Sequence, residues 1–433
     1  MSDPTVPRRD FIKTVGAATA ATALSYSRIL GANERVQMGL IGCGSRGVGV
    51  MNNFLKVGGV DVVALCDIYD AQFDRAKQNA AGANTFTDHR QLLGMKDLDA
   101  VLIAVPDHWH IGTTLDALNA GKDVYVEKPL TLKIEEGPAI VKAARLNKRV
   151  CQVGMQQRSG RHYLQAKQEY FDTRKLGKIT LVRTWWHGNT FHLRRAPESL
   201  QTQPANLDWG RFLGPLAWRD YDPQQYYNWR AYLDYGGGQI TDLFTHWIDV
   251  VHMFMGEDIP TSASASGGIY NYKDGRTAPD TINVLLEYPS AFTATFEATL
   301  APGISGAGIE FCGTEGRLWI TRARYEYYDV PTPPPATTSA APPRSSSATT
   351  APAAAAPRPN PGPPPPTAVV QASGSMDQDH IRNFLECVVS RKQPSGDVLI
   401  GHRSAQASHL GNIAYLEKRR IAFDPIREQI LPT

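Results

Sequence analysis

Cysteine, long apolar runs and an excess of charge of either sign are all scarce in this chain, and each shortage removes a class of protein. Its 433 residues hold 5 cysteines, Cys43, Cys66, Cys151, Cys312 and Cys387, scattered and without a CxxC pair. So sparse and odd a set is no disulfide framework, and buried small hydrophobes are the expected role. Lys and Arg number 45 against 42 Asp and Glu, a formal net charge of +3. The first 32 residues carry four basic and two acidic groups, so their removal leaves +1. That balance gives a nucleic acid no field to follow, and no nucleic-acid partner is expected. The apolar stretch that ends at Leu24 is too short for a permanent bilayer-spanning helix. What is present, 42% hydrophobic and 20% charged residues, suits a soluble globular protein too long for one ordinary core, so two domains are expected.

Two stretches stand apart from those domains. PRRDFIKTVGAATAATAL pairs Arg8 with Arg9, adds Phe11, Ile12 and Lys13, and continues into a mildly apolar run. It looks like a twin-arginine export signal over residues 1–32, with cleavage after Ala23 and after Ala32 both open. Such a signal implies folding in the cytoplasm, passage through the twin-arginine export machinery with a cofactor already bound, and a periplasmic or secreted destination. Residues 331–371 are Pro, Ala, Ser and Thr almost throughout. They hold too little apolar mass to offset the entropy of ordering, so a disordered or polyproline-like surface insertion is expected.

The chain is organised around VQMGLIGCGSRGVGVMNNFLKVGGVDVVALCD, residues 36–67. An apolar run leads into Gly42, Gly44 and Gly47, a periodic segment follows, and a second β-rich run ends on Asp67. Gly42 allows a tight turn, Gly44 lets backbone approach a pyrophosphate, Gly47 lets helix pack on strand, and free N–H groups at the helix start meet the anion. Asp67 lies about 20 residues beyond, where a carboxylate accepts hydrogen bonds from an adenosine ribose. Ile68 and Tyr69 follow without an immediate Arg for a 2′-phosphate, so NAD is expected over NADP. From residue 33 to 154 β-rich runs alternate with helical patterns, including helices near 71–81, 111–120 and 134–147, which predicts a doubly wound parallel sheet. Strand ends that carry polar residues line its crevice: Asp67, then PDHWH (Pro106 to His110), then Glu127, Lys128 and Pro129.

Residues 155–330 and 372–433 read differently. Longer segments such as ITLVRTWWH, TINVLLEYPS and AFTATFEATL alternate apolar and polar with period two, as in a half-buried antiparallel sheet. The fold class is therefore α/β plus α+β, with a mainly antiparallel open sheet second. Two closing helices, 377–391 and 402–420, are expected to pack back on the first domain. GGGQITDLFTHWIDVVHMF opens a helix after Gly236, Gly237 and Gly238, and an α-helical spacing puts Asp242 and His246 on one face. A carboxylate there would fix the tautomer of an imidazole base. Lys128 at a strand end is suited to hydrogen-bond a substrate hydroxyl and move a proton. Aromatic and basic side chains, among them Arg158, Trp185, Trp186, His187, Tyr226, Tyr227, Trp229 and Arg230, offer ring faces and charges for a sugar. The histidines at 108, 110, 187, 192 and 246 with Asp242 form no metal-ligand spacing, so no metal is expected.

In this order and at these separations, GCGSRG, Asp67, PDHWH, EKP and GGGxxxDxxxH resemble the Gfo/Idh/MocA oxidoreductase family from about Val36 to Arg322 and in the last two helices. The resemblance implies that Lys128 matches the family's catalytic lysine, Asp242 its carboxylate and His246 its acid/base histidine. The dinucleotide would meet Gly42, Gly44, Ser45, Arg46, Gly47, Asp67, Pro106, Asp107, His110, Glu127 and Lys128, and the substrate Arg158, His187, Tyr227, Trp229 and Arg230. Asp107 departs from the family, which usually has Asn there. The implied activity is oxidation of a sugar, polyol or glycoside hydroxyl by hydride transfer to NAD; export argues that the NAD stays tightly bound, and an exposed open sheet that the protein is a homo-oligomer. A redox-neutral glycosidase that oxidises, eliminates and re-reduces is the alternative; a noncatalytic sugar or dinucleotide sensor is the alternative of another class.

Overall fold

The computed structural model describes residues 35–188, 193–303, 306–330 and 365–432. The export-signal stretch, His192 and residues 331–364 of the insertion lie outside them.

Six strands, β1 (Val36–Ile41), β2 (Val60–Cys66), β3 (Asn84–Phe86), β4 (Ala100–Ile103), β5 (Asp123–Glu127) and β6 (Cys151–Gly154), form a parallel sheet in the order β3-β2-β1-β4-β5-β6. β4, β5 and β6 are buried at every position, the continuous apolar pattern of a sheet covered on both faces. One face packs Met38 and Leu40 with Phe54 of the helix Ser45–Val57; the other packs Ile41, Val101 and Ile103 with Leu118 and Ile140. Strand order reverses between β1 and β4, which opens a crevice at their carboxyl ends. The helices expected near 71–81 and 134–147 are shorter, Phe73–Lys77 and Gly137–Leu146, each entered through a 3₁₀ turn.

Ten strands make the second sheet: β7 (Ile179–His187), β8 (Ser262–Gly268), β9 (Thr281–Glu287), β10 (Thr293–Thr299), β11 (Ala307–Gly313), β12 (Gly316–Ile320), β13 (Arg324–Asp329), β14 (Ala368–Gln371), β15 (Ile421–Asp424) and β16 (Gln429–Ile430). Their order is β14-β13-β12-β11-β7-β10-β9-β8-β15-β16, and only the β7–β10 pair is parallel. Alternation decides the faces. Ala294, Phe296 and Ala298 of β10 point to the buried side, where Phe296 stacks on Phe244 with ring centroids 4.7 Å apart. On the opposite side Arg183 of β7 sits between Glu297 and Glu310, 3.2 Å from each. β14 corrects the sequence expectation for residues 368–371: the β-branched pair Val369 and Val370 ends the low-complexity stretch as a strand paired with β13.

The helices Met376–Ser390 and Val398–Glu417 close the chain. Phe384 of the first meets Phe54 at 6.0 Å and Tyr125 at 5.7 Å, both edge to face. The far end of the sequence thus completes the core of the parallel sheet. Among the described residues no helix is long and apolar enough to cross a membrane.

Candidate active site

A cleft of about 1030 Å³ runs along the carboxyl ends of β1, β2, β4 and β5 and reaches the second sheet at Trp186 and Arg322. Its first half is made by the glycine turn. Gly42 holds φ +94°, and a Cβ there would lie 2.5 Å from the Ala104 carbonyl oxygen; at Gly47 it would lie 1.9 Å from the Gly42 carbonyl oxygen. Only glycine meets both demands. Gly44 has nothing within 4 Å of its Cβ position. The helix that follows has no side-chain cap and no acid in its first turn, so its leading N–H groups and positive dipole end are free for an anion. Asp67 closes the turn: its Oδ2 accepts from the Cys43 N–H at 2.7 Å and its Oδ1 from the Tyr69 N–H at 3.0 Å. Burial pushes its carboxyl up to about 6 against those backbone bonds. The glycine cradle, uncapped helix end and carboxylate fit a dinucleotide.

The second half is a cluster of charges drawn from distant parts of the chain. Lys128, just after β5 and before a cis peptide to Pro129, donates through Nζ to the Asp242 carboxylate and to the Asp242 main-chain oxygen at 2.7 Å. Arg230 stands 3.7 Å from the other Asp242 oxygen and stacks over Trp229 at 4.1 Å. Burial raises the Asp242 carboxyl, but Lys128 and then Arg230 outweigh it and hold it below the usual range. Asp107, 4% exposed, is pushed up to about 8 by burial and then by the Asp242 charge. Both causes favour its neutral acid form, close in shape to the Asn usual in the resembled family. Burial, then Lys128, Arg322 and Arg46, hold His246 neutral. Its Nδ1 has no hydrogen-bond partner among the described residues. A neutral imidazole and a lysine beside an ionised carboxylate can receive a proton from a hydroxyl and stabilise the oxyanion left behind.

Of the sequence-predicted residues, Gly42, Gly44, Ser45, Arg46, Asp67, Pro106, Asp107, His110, Glu127, Lys128, Tyr227, Trp229, Arg230 and His246 line the cleft, and Gly47 and Asp242 lie directly behind it. Three expectations are corrected. Asp242 does not orient His246. The turn Ile240–Phe244 is a π-helix that passes into the α-helix Thr245–Met255; the wider turn breaks the i, i+4 stacking an α-helix would impose, and the carboxylate goes to Lys128. Arg158 does not reach the cleft: its Nε pairs with buried Asp249 at 2.6 Å, where Ser404 also donates at 3.1 Å. His187 lies two residues from Trp185 on β7, and strand alternation turns it away from Trp186, the β7 side chain on the cleft. His110 is a bracket rather than a free contact, its ring set between the Pro129 and Val105 carbonyls at 2.5 and 2.9 Å. No group of metal-binding side chains forms among the described residues.

The sequence reading did not single out Arg322, Gln156, Met376 and Asp377, which also line the cleft. They come from the end of β12, the turn after β6 and the start of a C-terminal helix, and no local motif marks them. Arg46 ties the start of that helix to β5, 3.8 Å from Asp377 and 2.8 Å from Glu127.

Comparison with known proteins agrees with this architecture. The chain is 31% identical over 177 residues to an alpha-N-acetylgalactosaminidase of Shewanella oneidensis, covering 34% of this chain and 38% of that protein; it thus spans well under half the length of the curated relatives it matches. Among solved structures, aldose-aldose oxidoreductase from Caulobacter crescentus, complexed with glycerol, superposes with a TM-score of 0.66 at 17% identity, over 90% of this chain and 100% of that one. Scyllo-inositol dehydrogenase from Lactobacillus casei, with bound NAD(H) and scyllo-inositol, gives 0.61 at 19% identity, over 90% and 99%. Family models match twice: the oxidoreductase family with an NAD-binding Rossmann fold at residues 36–155, and the GFO/IDH/MocA C-terminal domain at residues 215–319. The chain belongs to the Gfo/Idh/MocA oxidoreductase family.

Proposed function

We propose that the protein oxidises a hydroxyl of a sugar, polyol or glycoside, with a retained NAD as hydride acceptor. The observation that carries the reading is the convergence of Lys128, Asp242 and neutral His246 at the end of a dinucleotide-shaped cleft. The dinucleotide, when bound, supplies the acceptor for hydride. His246 takes the hydroxyl proton, Lys128 hydrogen-bonds the developing oxyanion, and Asp242 holds Lys128 aimed. Asp67 favours NAD, since a 2′-phosphate would meet a carboxylate there. The pairing of Lys128 with Asp242 counts against a pure sensor, which has no use for a buried proton-transfer cluster.

Tight cofactor retention rests on the twin-arginine pattern, with the periplasm or exterior as destination, because free NAD is scarce outside the cytosol. The outer face of the open sheet, which carries Arg183, Glu297, Glu310 and Trp319, suits a homo-oligomer. One observation favours the second chemistry, oxidation, elimination of the aglycone and re-reduction: the segment alike to the alpha-N-acetylgalactosaminidase. Purified protein is first analysed by mass and absorbance for released cofactor, then given a panel of sugars and glycosides without added NAD. Aglycone release identifies the glycosidase; a keto-sugar that accumulates only with an added carbonyl acceptor identifies the oxidoreductase. Protein that carries no dinucleotide and binds none overturns both.

A further inference from the structure

Most cations on the cleft wall face an acid. Lys128 and Arg230 meet Asp242, Arg46 meets Glu127 and Asp377, and Arg211 meets Asp88. Arg322 does not. Its Nε and Nη2 both turn to one neutral acceptor, the Gln157 amide oxygen, at 3.3 and 3.2 Å, and no carboxylate of the described residues pairs with it. The acids whose charge reaches it face other cations, Asp377 toward Arg46 and Asp242 to Lys128.

The guanidinium is nonetheless held in place. It lies 4.9 Å over the Trp186 ring and 5.9 Å from that of Trp247, while the side chain as a whole remains exposed to the cleft. Ring stacking fixes the plane without supplying an anion. Two of five N–H groups are used by Gln157, and the Nη1 side is uncommitted. Desolvation pulls the group below the ordinary guanidinium range, the direction expected of a cation short of a counter-charge. Trp247 directly follows His246 on the helix Thr245–Met255, so its ring contact places Arg322 on the wall of the cleft beside the reacting end. A planar, preoriented fork without a carboxylate partner is suited to bidentate capture of an oxyanion.

We propose that Arg322 is a specificity-determining residue that receives an oxyanionic substituent of the substrate, so that the preferred substrates are acidic sugars or their glycosides. The proposal rests on the sugar-oxidoreductase reading for the identity of the ring it selects. Carboxylate and phosphate share the required geometry, and the test separates them.

Isothermal titration of the holoenzyme compares D-glucuronate, D-galacturonate and D-mannuronate with their parent hexoses, with their neutral methyl esters, and with the corresponding hexose 6-phosphates. At least one acid is expected to bind tenfold or more tighter than its parent and its ester, a uronate if the anion is a carboxylate and a hexose phosphate if it is a phosphate. Arg322→Gln is expected to erase that preference and Arg322→Lys to restore part of it. Equal binding of acids, esters and parents by the unmodified protein overturns the proposal without need of any variant, as does a preference that survives Arg322→Gln. Cofactor reduction is followed in the same samples. Hexose oxidation without an acid preference removes the role of Arg322 and leaves the oxidoreductase reading. Acid-selective binding without reduction by any sugar does the reverse.

Discussion

The two halves of the cleft are built in opposite ways. The glycine half comes from one continuous stretch, residues 36–67, in which backbone does the work: a positive φ at Gly42, a close approach at Gly47, and main-chain N–H groups that tie down Asp67. The reacting half draws Lys128 from the end of β5, Arg230 from a 3₁₀ turn, Asp242 from a π turn, His246 from the helix behind it and Arg322 from beyond β12, and side-chain charge does the work. A site made of local backbone tolerates variation in its neighbours but no added Cβ. A site made of long-range charge tolerates shape changes but no change in ionisation.

Single substitutions separate the two halves. Lys128→Ala should have the largest effect, a loss of about 10³-fold in kcat, while the dinucleotide content of the purified protein stays at the wild-type level; steady-state rates and cofactor mass measure both. Asp242→Asn leaves Lys128 and Arg230 without their anion and should cost about a hundredfold in kcat/KM. If Asp242 acted through His246 instead, its effect would vanish in a His246→Asn background; independent losses there support the Lys128 partnership. On the glycine side, Gly47→Ala forces a Cβ against the Gly42 carbonyl oxygen, where 1.9 Å separates them. It should lower stability by roughly 1–3 kcal/mol and reduce bound cofactor, read by thermal melting and by the mass of released dinucleotide.

Smaller effects follow from Asp107. Its carboxyl titrates near 3.8 in an unfolded chain but holds its proton to about 8 in the fold. Across that window the unfolded chain binds fewer protons, so this group's stabilising contribution falls as pH rises. Asp107→Asn removes the titration, and the variant should gain about 0.5–2 kcal/mol over the wild type at the alkaline end and little at the acid end; melting temperatures from pH 4 to 9 test the sign. Trp229→Ala removes the ring beneath Arg230 and should cost about 0.5–1 kcal/mol in substrate binding, a few-fold rise in KM.

The glycine half was legible because its physics is local: residue type at fixed offsets decides the turn. The parallel sheet was legible for the same reason, since β5 and β6 are short apolar runs between helical patterns. Lys128, Asp242 and His246 were legible as residues only through their order along the chain, and their partnership was misjudged. Spacing of four implies a shared face only in an α-helix, and nothing in GGGQITDLF announces a π turn. Arg158 and His187 failed differently. Polar residues beside aromatics resemble a sugar site, yet a buried acid at Asp249 claims one and strand alternation turns the other away. Arg322 and Asp377 reach the cleft through long-range packing of β12 and a C-terminal helix, which no local pattern encodes. β14 was hidden by the low-complexity run before it.

Anaerobic mixing of the purified protein with the sugar and glycoside panel, with no NAD added, reports hydride transfer itself through the near-ultraviolet absorbance of reduced nicotinamide. Lys128-dependent oxidation predicts a rise in the unmodified protein with at least one substrate, and none in Lys128→Ala protein that still carries its dinucleotide. Bound cofactor that stays silent across the panel, or an equal rise in the Lys128→Ala variant, would contradict it.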